Sequence, residues 1–402
     1  SPVSAFSHPL WSLPTPNATQ RIALDETARP TYRLGVVGFA HMHVNELIAQ
    51  FVALDQVNLI ACADTTPSVP SLTEVDGSRR ANLRRALENS GSPRAYEDYL
   101  EMLDTEDLDI VIFCPEISRH AEVAEALAVR GIHMVTEKPM AGSLSDALRM
   151  ARAARHADVA LMVNWPTTWR PAVLKVKDLI DAGEIGDVWE FKWRNGPSLG
   201  PLAAGSIHPG DTVISGSLSD AERSAEWWHQ SSAGGGALLD YCSYGACLSS
   251  WYLGQDAVAV QGLRSNLLSP FGSAEDNAAL LVRFPRAMAI LEGTWTTFHA
   301  GVPTGPIVYG TRGTIVVDGA KALVFKDRGN PDPTHAYAGD PLPVGKATIA
   351  EAFIHHIETG ESPHPTLDIP LNLATVAVLD AGIGSAASGR AVPVDNEQWA
   401  IG

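Results

Sequence analysis

The sequence predicts an α/β chain: an N-terminal doubly wound parallel sheet, followed by a C-terminal α+β domain built on a mainly antiparallel sheet. Three observations carry that reading. First, Asp109–Cys114 (DIVIFC) has the pattern of a buried strand and Arg119–Arg130 (RHAEVAEALAVR) that of a helix. A second apolar run, Ile132 to Val135, completes one βαβ unit and stops at Glu137-Lys138-Pro139. Proline cannot donate to a sheet ladder, so the strand must end there. Second, Arg33–Gly38 (RLGVVG), a helix and Val57–Ala63 (VNLIACA) closed by Asp64 repeat the plan upstream. Third, beyond Val188 short strands succeed one another without intervening helices, which indicates antiparallel pairing. Ligands bind at the ends of parallel strands, so Glu137 and Lys138 are placed for chemistry. Their plainer role is a surface ion pair beside a turn.

The 402 residues suggest two or three domains. With 45% hydrophobic and 19% charged residues the composition is that of an ordinary soluble protein. The excess of 46 acidic over 29 basic residues gives a net charge of −17, which disfavours nucleic acid and anionic membranes as partners. No apolar run in the sequence approaches a membrane span. The start, SPVSAFSHPLWSLPTPNATQ, lacks the basic end and apolar core of a signal peptide. A cytoplasmic location is expected, with a processed periplasmic form as the alternative. Cys62, Cys114, Cys242 and Cys247 form no zinc-ligand spacing, and the first two lie in buried strands, as suits a reducing compartment. His41-Met42-His43 and His355-His356 have no companion ligands at a recognisable spacing, so no metal is expected.

Taken in order, residues 1–30 are rich in Pro, Ser, Thr and Asn and form an arm or leader. Residues 31–165 form the dinucleotide-binding domain, and residues 166–402 a second, α/β domain. After RLGVVG, a helix from about His43 to Leu54 places Val44, Leu47, Ile48, Phe51 and Val52 on one stripe. Strand, glycine turn, helix, then a strand closed by an acid is the dinucleotide-binding plan. Aligned to G-x-G-x-x-G, the three positions hold Gly38, Ala40 and His43, so only the first glycine is intact. Asp64 would accept from ribose hydroxyls and repel a 2′-phosphate, favouring NAD over NADP; its plainer role is a cap opening the loop at Thr65-Thr66-Pro67. A basic helix (Ser78–Ser90), a short one (Tyr99–Asp104), a helix capped by Ser143 and a strand at Val159–Asn164 complete this domain. Next come a helix over Pro171–Ala182, a strand at Val188–Asn195 and a long irregular stretch, Gly196–Ser232. Gly234-Gly235-Gly236 opens a helix, Ala237–Leu253, and six strands follow from Val258 to Phe325. Two helices, in ATIAEAFIHHIE and LNLATVAVLDAGIGSAA, close the chain.

With these residues assembled, the chain resembles the glucose–fructose oxidoreductase / inositol dehydrogenase / MocA-like (Gfo/Idh/MocA) family over about Arg33 to Val394. CPEISRHAEVAEALAVRGIHMVTEKPMA follows the family's Pro…His…Ala…Gly…Glu-Lys-Pro pattern. NWPTTWRPAVLKVKDLIDAGEIGDV, GGGALLDYCSY and AFIHHIETGESPHP…SAASGRAVPV match in the family's order. The resemblance implies a Rossmann N-terminal domain and a C-terminal domain with an open antiparallel sheet. It also implies homodimer or homotetramer contacts through that sheet, and an active site at the domain junction. The cofactor contacts it implies fall on Gly38, Phe39, Ala40, His41, Met42, Asp64, Cys114, Pro115, Glu116, His120, Glu137, Lys138 and Asn164. Where many members have Asp-x-x-x-His, this chain has Asp240-Tyr-Cys-Ser-Tyr244, as in the glucose–fructose oxidoreductase and dihydrodiol dehydrogenase branches.

That trio supports a chemistry. Oxidising an alcohol removes the hydroxyl proton while hydride leaves carbon, and a phenol near its reference pKa of about 10 is a poor base at neutral pH. An adjacent ammonium, Lys138, would favour phenolate and stabilise alkoxide charge, with Tyr244 exchanging the proton. Asp240 would orient Lys138 or bind a second hydroxyl; otherwise it stabilises a helix N-terminus, and Tyr244 is a core aromatic. Trp165, Trp169, Trp193, Trp227 and Trp228 offer flat apolar faces to sugar rings, and Arg194 and Asn195 offer hydroxyl partners, unless the tryptophans are simply core. The function expected is an NAD(H)-dependent sugar or cyclitol oxidoreductase. The alternatives are a glycoside hydrolase using bound NAD for transient oxidation, and a non-catalytic nucleotide sensor.

Overall fold

A computed structural model of the chain describes residues 31–196, 218–268, 271–297, 299, 301–303 and 305–396. The expected N-terminal arm and residues 197–217 of the long irregular stretch lie outside them. The first sheet is wholly parallel, with strands β1 (Tyr32–Phe39), β2 (Val57–Ala63), β3 (Arg94–Tyr96), β4 (Ile110–Cys114), β5 (His133–Glu137) and β6 (Leu161–Asn164). Their order, β3-β2-β1-β4-β5-β6, is that of a doubly wound dinucleotide-binding sheet. The helices between them are α1 (Val44–Val52), α2 (Arg79–Asn89), α3 (Tyr99–Thr105), α4 (His120–Ala128) and α5 (Leu144–Ala157). α1 buries Val44, Leu47, Ile48 and Phe51 of the predicted stripe. Ser78, Asp98 and Ser143 cap α2, α3 and α5 through their side chains, answering exposed helix amides.

After α6 (Pro171–Asp181), the chain enters a nine-stranded sheet. Its strands are β7 (Val188–Asn195), β8 (Ala259–Ser265), β9 (Asn277–Arg283), β10 (Met288–Thr294), β11 (Ile307–Gly310), β12 (Gly313–Asp318), β13 (Lys321–Phe325), β14 (His335–Tyr337) and β15 (Val392–Pro393). Among the described residues only β7 and β10 pair in parallel, so the sheet is mainly antiparallel, as the succession of strands predicted. The short strands β3, β14 and β15 went unread because two or three residues carry no measurable alternation. The remaining helices are α7 (Asp220–Ala225), α8 (Ser243–Leu253), α9 (Ile349–Thr359) and α10 (Ile369–Ser388).

Two findings alter the sequence reading. α9 returns to the first sheet: Ile349, Ala350, Phe353 and Ile354 pack with Leu34, Val36, Ile48 and Phe51, the Phe51 and Phe353 rings 5.9 Å apart. A parallel sheet needs cover on both faces, and this C-terminal helix supplies part of it. α10, 20 residues long, is apolar and long enough to cross a membrane by length and composition. Asn372, Thr375, Asp380 and Ser385 interrupt the run in sequence. In the fold the helix is mostly buried, serving as core. All four cysteines are free and buried, and burial pushes the Cys62 thiol up to about 12.

Candidate active site

The strand order reverses between β1 and β4, and there the carboxyl ends open a crevice. Gly38, the penultimate residue of β1, has φ +83°, and a Cβ on it would lie 2.4 Å from the Pro115 nitrogen, so only glycine fits. Side chains from two other segments hold the next turn. Asn82 donates to the carbonyls of Phe39 (3.0 Å) and His41 (3.4 Å), and Trp227 Nε1 donates to that of Ala40 (2.9 Å). These bonds fix a turn whose second and third fingerprint glycines are replaced.

Asp64 closes β2 and accepts from the Phe39 amide (2.9 Å), Arg79 Nε (2.7 Å) and Arg79 Nη2 (3.0 Å). Arg79 also donates to Glu116 and to the Thr65 carbonyl, so the buried guanidinium is satisfied on every side. Its two carboxylate partners outweigh burial and raise its already high pKa. One signal pointed to Arg79: an arginine at a helix N-terminus opposes the dipole and calls for an acid.

On the other wall, Lys138 is 3% exposed, and its Nζ donates to the Asp240 carbonyl (2.5 Å) and Oδ1 (3.2 Å). The other Asp240 oxygen accepts from Trp295 Nε1 at 3.0 Å, a partner nothing in the sequence singled out. The ammonium sits 4.4 Å from the centre of the Tyr244 ring, over its face, in a cation–π contact. Tyr244 in turn stacks on Trp193 (5.6 Å, 24°) and meets Trp165 edge-on (5.7 Å, 76°). The predicted single helix over 237–253 is instead a π-helical turn, Leu238–Cys242, running into α8. Asp240 lies in the π turn and Tyr244 in α8, and both face Lys138. The turn starts at Gly236, φ +112°, where a Cβ would meet Glu275 Oε1 at 2.3 Å; that oxygen accepts from the Leu238 amide (2.9 Å).

Ala40, His41, Met42, Lys138, Asp240 and Tyr244 line one cleft with His43, Trp227, Trp228 and Trp295. Glu137 and Asn164 stand behind it, Asn164 Nδ2 donating to Glu137 Oε1 (2.8 Å) and Oδ1 accepting from Trp169 Nε1 (2.8 Å). Cys114, Pro115, Glu116 and His120 do not line it. Burial raises the Cys114 thiol pKa and lowers that of His120, whose Nδ1 lies 3.0 Å from the Met140 carbonyl. Trp165 and Trp193 are core rather than sugar platforms, their indole N–H groups spent on Asn372 Oδ1 and the Tyr241 carbonyl. Arg194 pairs with Glu292 and lines a separate groove, because alternation along β7 turns it away from Trp193. The Asn195 side chain accepts from the Gly196 amide, away from the cleft. Sequence spacing offered His41 and His43 no companion ligand; the fold brings Glu137 beside them.

Comparison with known proteins identifies the family and the fold. Residues 32–165 match the family described as "Oxidoreductase family, NAD-binding Rossmann fold", and residues 173–316 match "GFO/IDH/MocA C-terminal domain". The chain belongs to the Gfo/Idh/MocA family. Among curated Gfo/Idh/MocA relatives, it is 28% identical to a dTDP-3,4-didehydro-2,6-dideoxy-alpha-D-glucose 3-reductase of Streptomyces violaceoruber, over 58% of this chain and 57% of that protein. It is 30% identical to a D-apiose dehydrogenase of Paraburkholderia graminis, over 42% of each. The chain thus spans about half the length of the curated relatives it matches. A levoglucosan dehydrogenase solved with NADH and levoglucosan shares the fold, with a TM-score of 0.69 at 22% identity over 91% of this chain and all of that one. The Gfo/Idh/MocA cofactor fits the crevice. Gly38 leaves the close approach open, the carboxylate of Asp64 stands at the end of β2, and Ala40, His41 and Met42 lead into α1, whose amino end favours a diphosphate.

Proposed function

We propose that the chain is an NAD(H)-dependent oxidoreductase acting on a hydroxyl or carbonyl of a sugar, sugar derivative or cyclitol. The observation that carries this is the cleft where Lys138, Asp240 and Tyr244 face the Rossmann turn at Ala40–His43. When bound, nicotinamide supplies the hydride acceptor or donor. Lys138 stabilises charge on the reacting oxygen, Asp240 holds the ammonium in place, and Tyr244 exchanges the proton. Trp227, Trp228 and Trp295 line the same cleft with aromatic surface suited to a sugar ring. The relatives named above are a reductase and dehydrogenases of sugars, and they lend no support to the hydrolase alternative. A panel of sugars and cyclitols with NAD, followed by nicotinamide absorbance, tests the reading. Stoichiometric NADH with one class supports it; cleavage without net NADH, or no turnover of any member, removes it.

NAD is favoured over NADP by the carboxylate of Asp64, but Arg79 pairs with that carboxylate and tempers its repulsion. Asp64→Ser should narrow the preference by about 10- to 100-fold, about 1.4–2.8 kcal/mol, and leave Arg79 available to a 2′-phosphate. Calorimetric titration of both cofactors checks this; equal affinities in the parent chain would refute it. The outer face of the second sheet exposes Leu263, Leu281 and Met288, which supports a homodimer or homotetramer through that sheet. Light scattering measures that mass, and a monomer would end the proposal.

A further inference from the structure

The C-terminal domain reaches back over the dinucleotide crevice through residues 219–236, and hydride transfer by itself does not explain how this segment is tied down. It opens with α7, whose N-cap Ser219 and Glu222 answer each other in a capping box, so its start is fixed. From there it meets the loops at the carboxyl ends of β1, β2 and β4 in turn. Trp227 Nε1 donates to the Ala40 carbonyl after β1 (2.9 Å). Glu226 Oε1 accepts from Ser71 Oγ, in the loop after β2 (2.7 Å), and both residues are buried. Gly234, φ +86°, seats on the loop after β4, where a Cβ would lie 2.6 Å from Ile117 Cβ and 3.3 Å from the Ser118 nitrogen. A dinucleotide in an open parallel sheet lies across those carboxyl ends. A segment held at all three therefore spans the crevice from wall to wall. Parting Glu226 from Ser71 inside the protein would leave a buried carboxylate short of a donor, so this contact opens only when the segment lifts toward water.

We propose that residues 219–236 form a clasp across the dinucleotide crevice, and that NAD(H) enters and leaves only when the clasp lifts from Ala40 and Ser71. Both bonds run from protein to protein across the domain junction. They set the barrier to exchange rather than the strength of the cofactor's own contacts, so exchange is slowed in both directions alike. The clasp also makes the cofactor turn, which lacks two fingerprint glycines, depend on the C-terminal domain for its shape. The inference rests on the cofactor alone and needs no sugar.

The test follows NADH fluorescence by stopped flow with the full chain. Mixing with NADH gives the association rate, and chasing the complex with excess NAD gives the release rate. Trp227→Phe keeps the ring and removes the N–H, while Ser71→Ala removes the hydroxyl that Glu226 accepts from. Each should speed association and release together by about 10-fold, with the dissociation constant unchanged within about threefold. Ser71→Ala keeps the proposal testable if Trp227→Phe fails to fold. Ser231→Ala breaks a bond to Ser273 inside the C-terminal domain (3.0 Å) and should exchange like the parent. Release unchanged in the bridging variants overturns the proposal. So does release that quickens while association stays the same, which would make these groups cofactor contacts rather than a gate. Equal quickening in Ser231→Ala overturns it as well, and a parent chain that takes up no NADH removes cofactor and clasp together.

Discussion

Lys138→Ala is expected to lower turnover by roughly 10³- to 10⁴-fold while the chain still folds and binds NAD. The ammonium stands at the junction of the two sheets, donating to the carbonyl and carboxylate of Asp240 and lying over the Tyr244 ring. In the proposed mechanism, removing it takes charge stabilisation from the reacting oxygen; in the fold it leaves the Asp240 carboxylate with Trp295 Nε1. Asp240 is 30% exposed, so water answers part of the loss, and the stability cost should be about 1–3 kcal/mol. Lys138 is itself buried, contrary to an end-of-strand surface position, so Lys138→Met is the companion variant that keeps the stem and the packing. Single-turnover nicotinamide absorbance, a cofactor titration and a thermal melt separate the effects. Near-normal turnover in either variant would remove Lys138 as the electrostatic group.

Tyr244→Phe should cost on the order of 10²–10⁴ in turnover with little change in substrate affinity, the range for a proton-transfer group. The substitution separates two roles for this side chain. Phenylalanine keeps the ring that stacks on Trp193 and carries the lysine above it, and loses only the hydroxyl. A raised Michaelis constant with turnover nearly unchanged would mean that Tyr244 positions substrate and Lys138 moves the proton. The pH profile gives a second reading, because phenol and imidazole start from reference values near 10 and 6.5. Tyr244→His should then move the basic limb of the oxidation profile to lower pH. A limb that stays put in an active Tyr244→His enzyme would show that another group titrates.

The elements that carry this chemistry were legible wherever burial follows a short period. The stripe of α1, the apolar runs of β1, β4 and β5, and the stop at Glu137-Lys138-Pro139 each announce themselves within a dozen residues. The spacing of Asp240 and Tyr244 likewise held across the π turn that replaced the expected helix. Sequence was misleading where the partner was remote. Arg194 and the indoles of Trp165 and Trp193 had the right chemistry for a sugar, yet strand alternation and core hydrogen bonds turned them elsewhere.

By itself, then, the sequence determined the parallel and antiparallel halves, the acid at the end of β2 and the lysine at the end of β5, because periodicity and breaker residues act locally. Only the tertiary structure decided that α9 would cover the first sheet, that Arg79 would occupy Asp64, that Trp295 would hold Asp240, and that Glu137 would join His41 and His43. Each of these contacts joins elements apart in sequence, and local pattern specifies which face is buried without specifying what is buried against it.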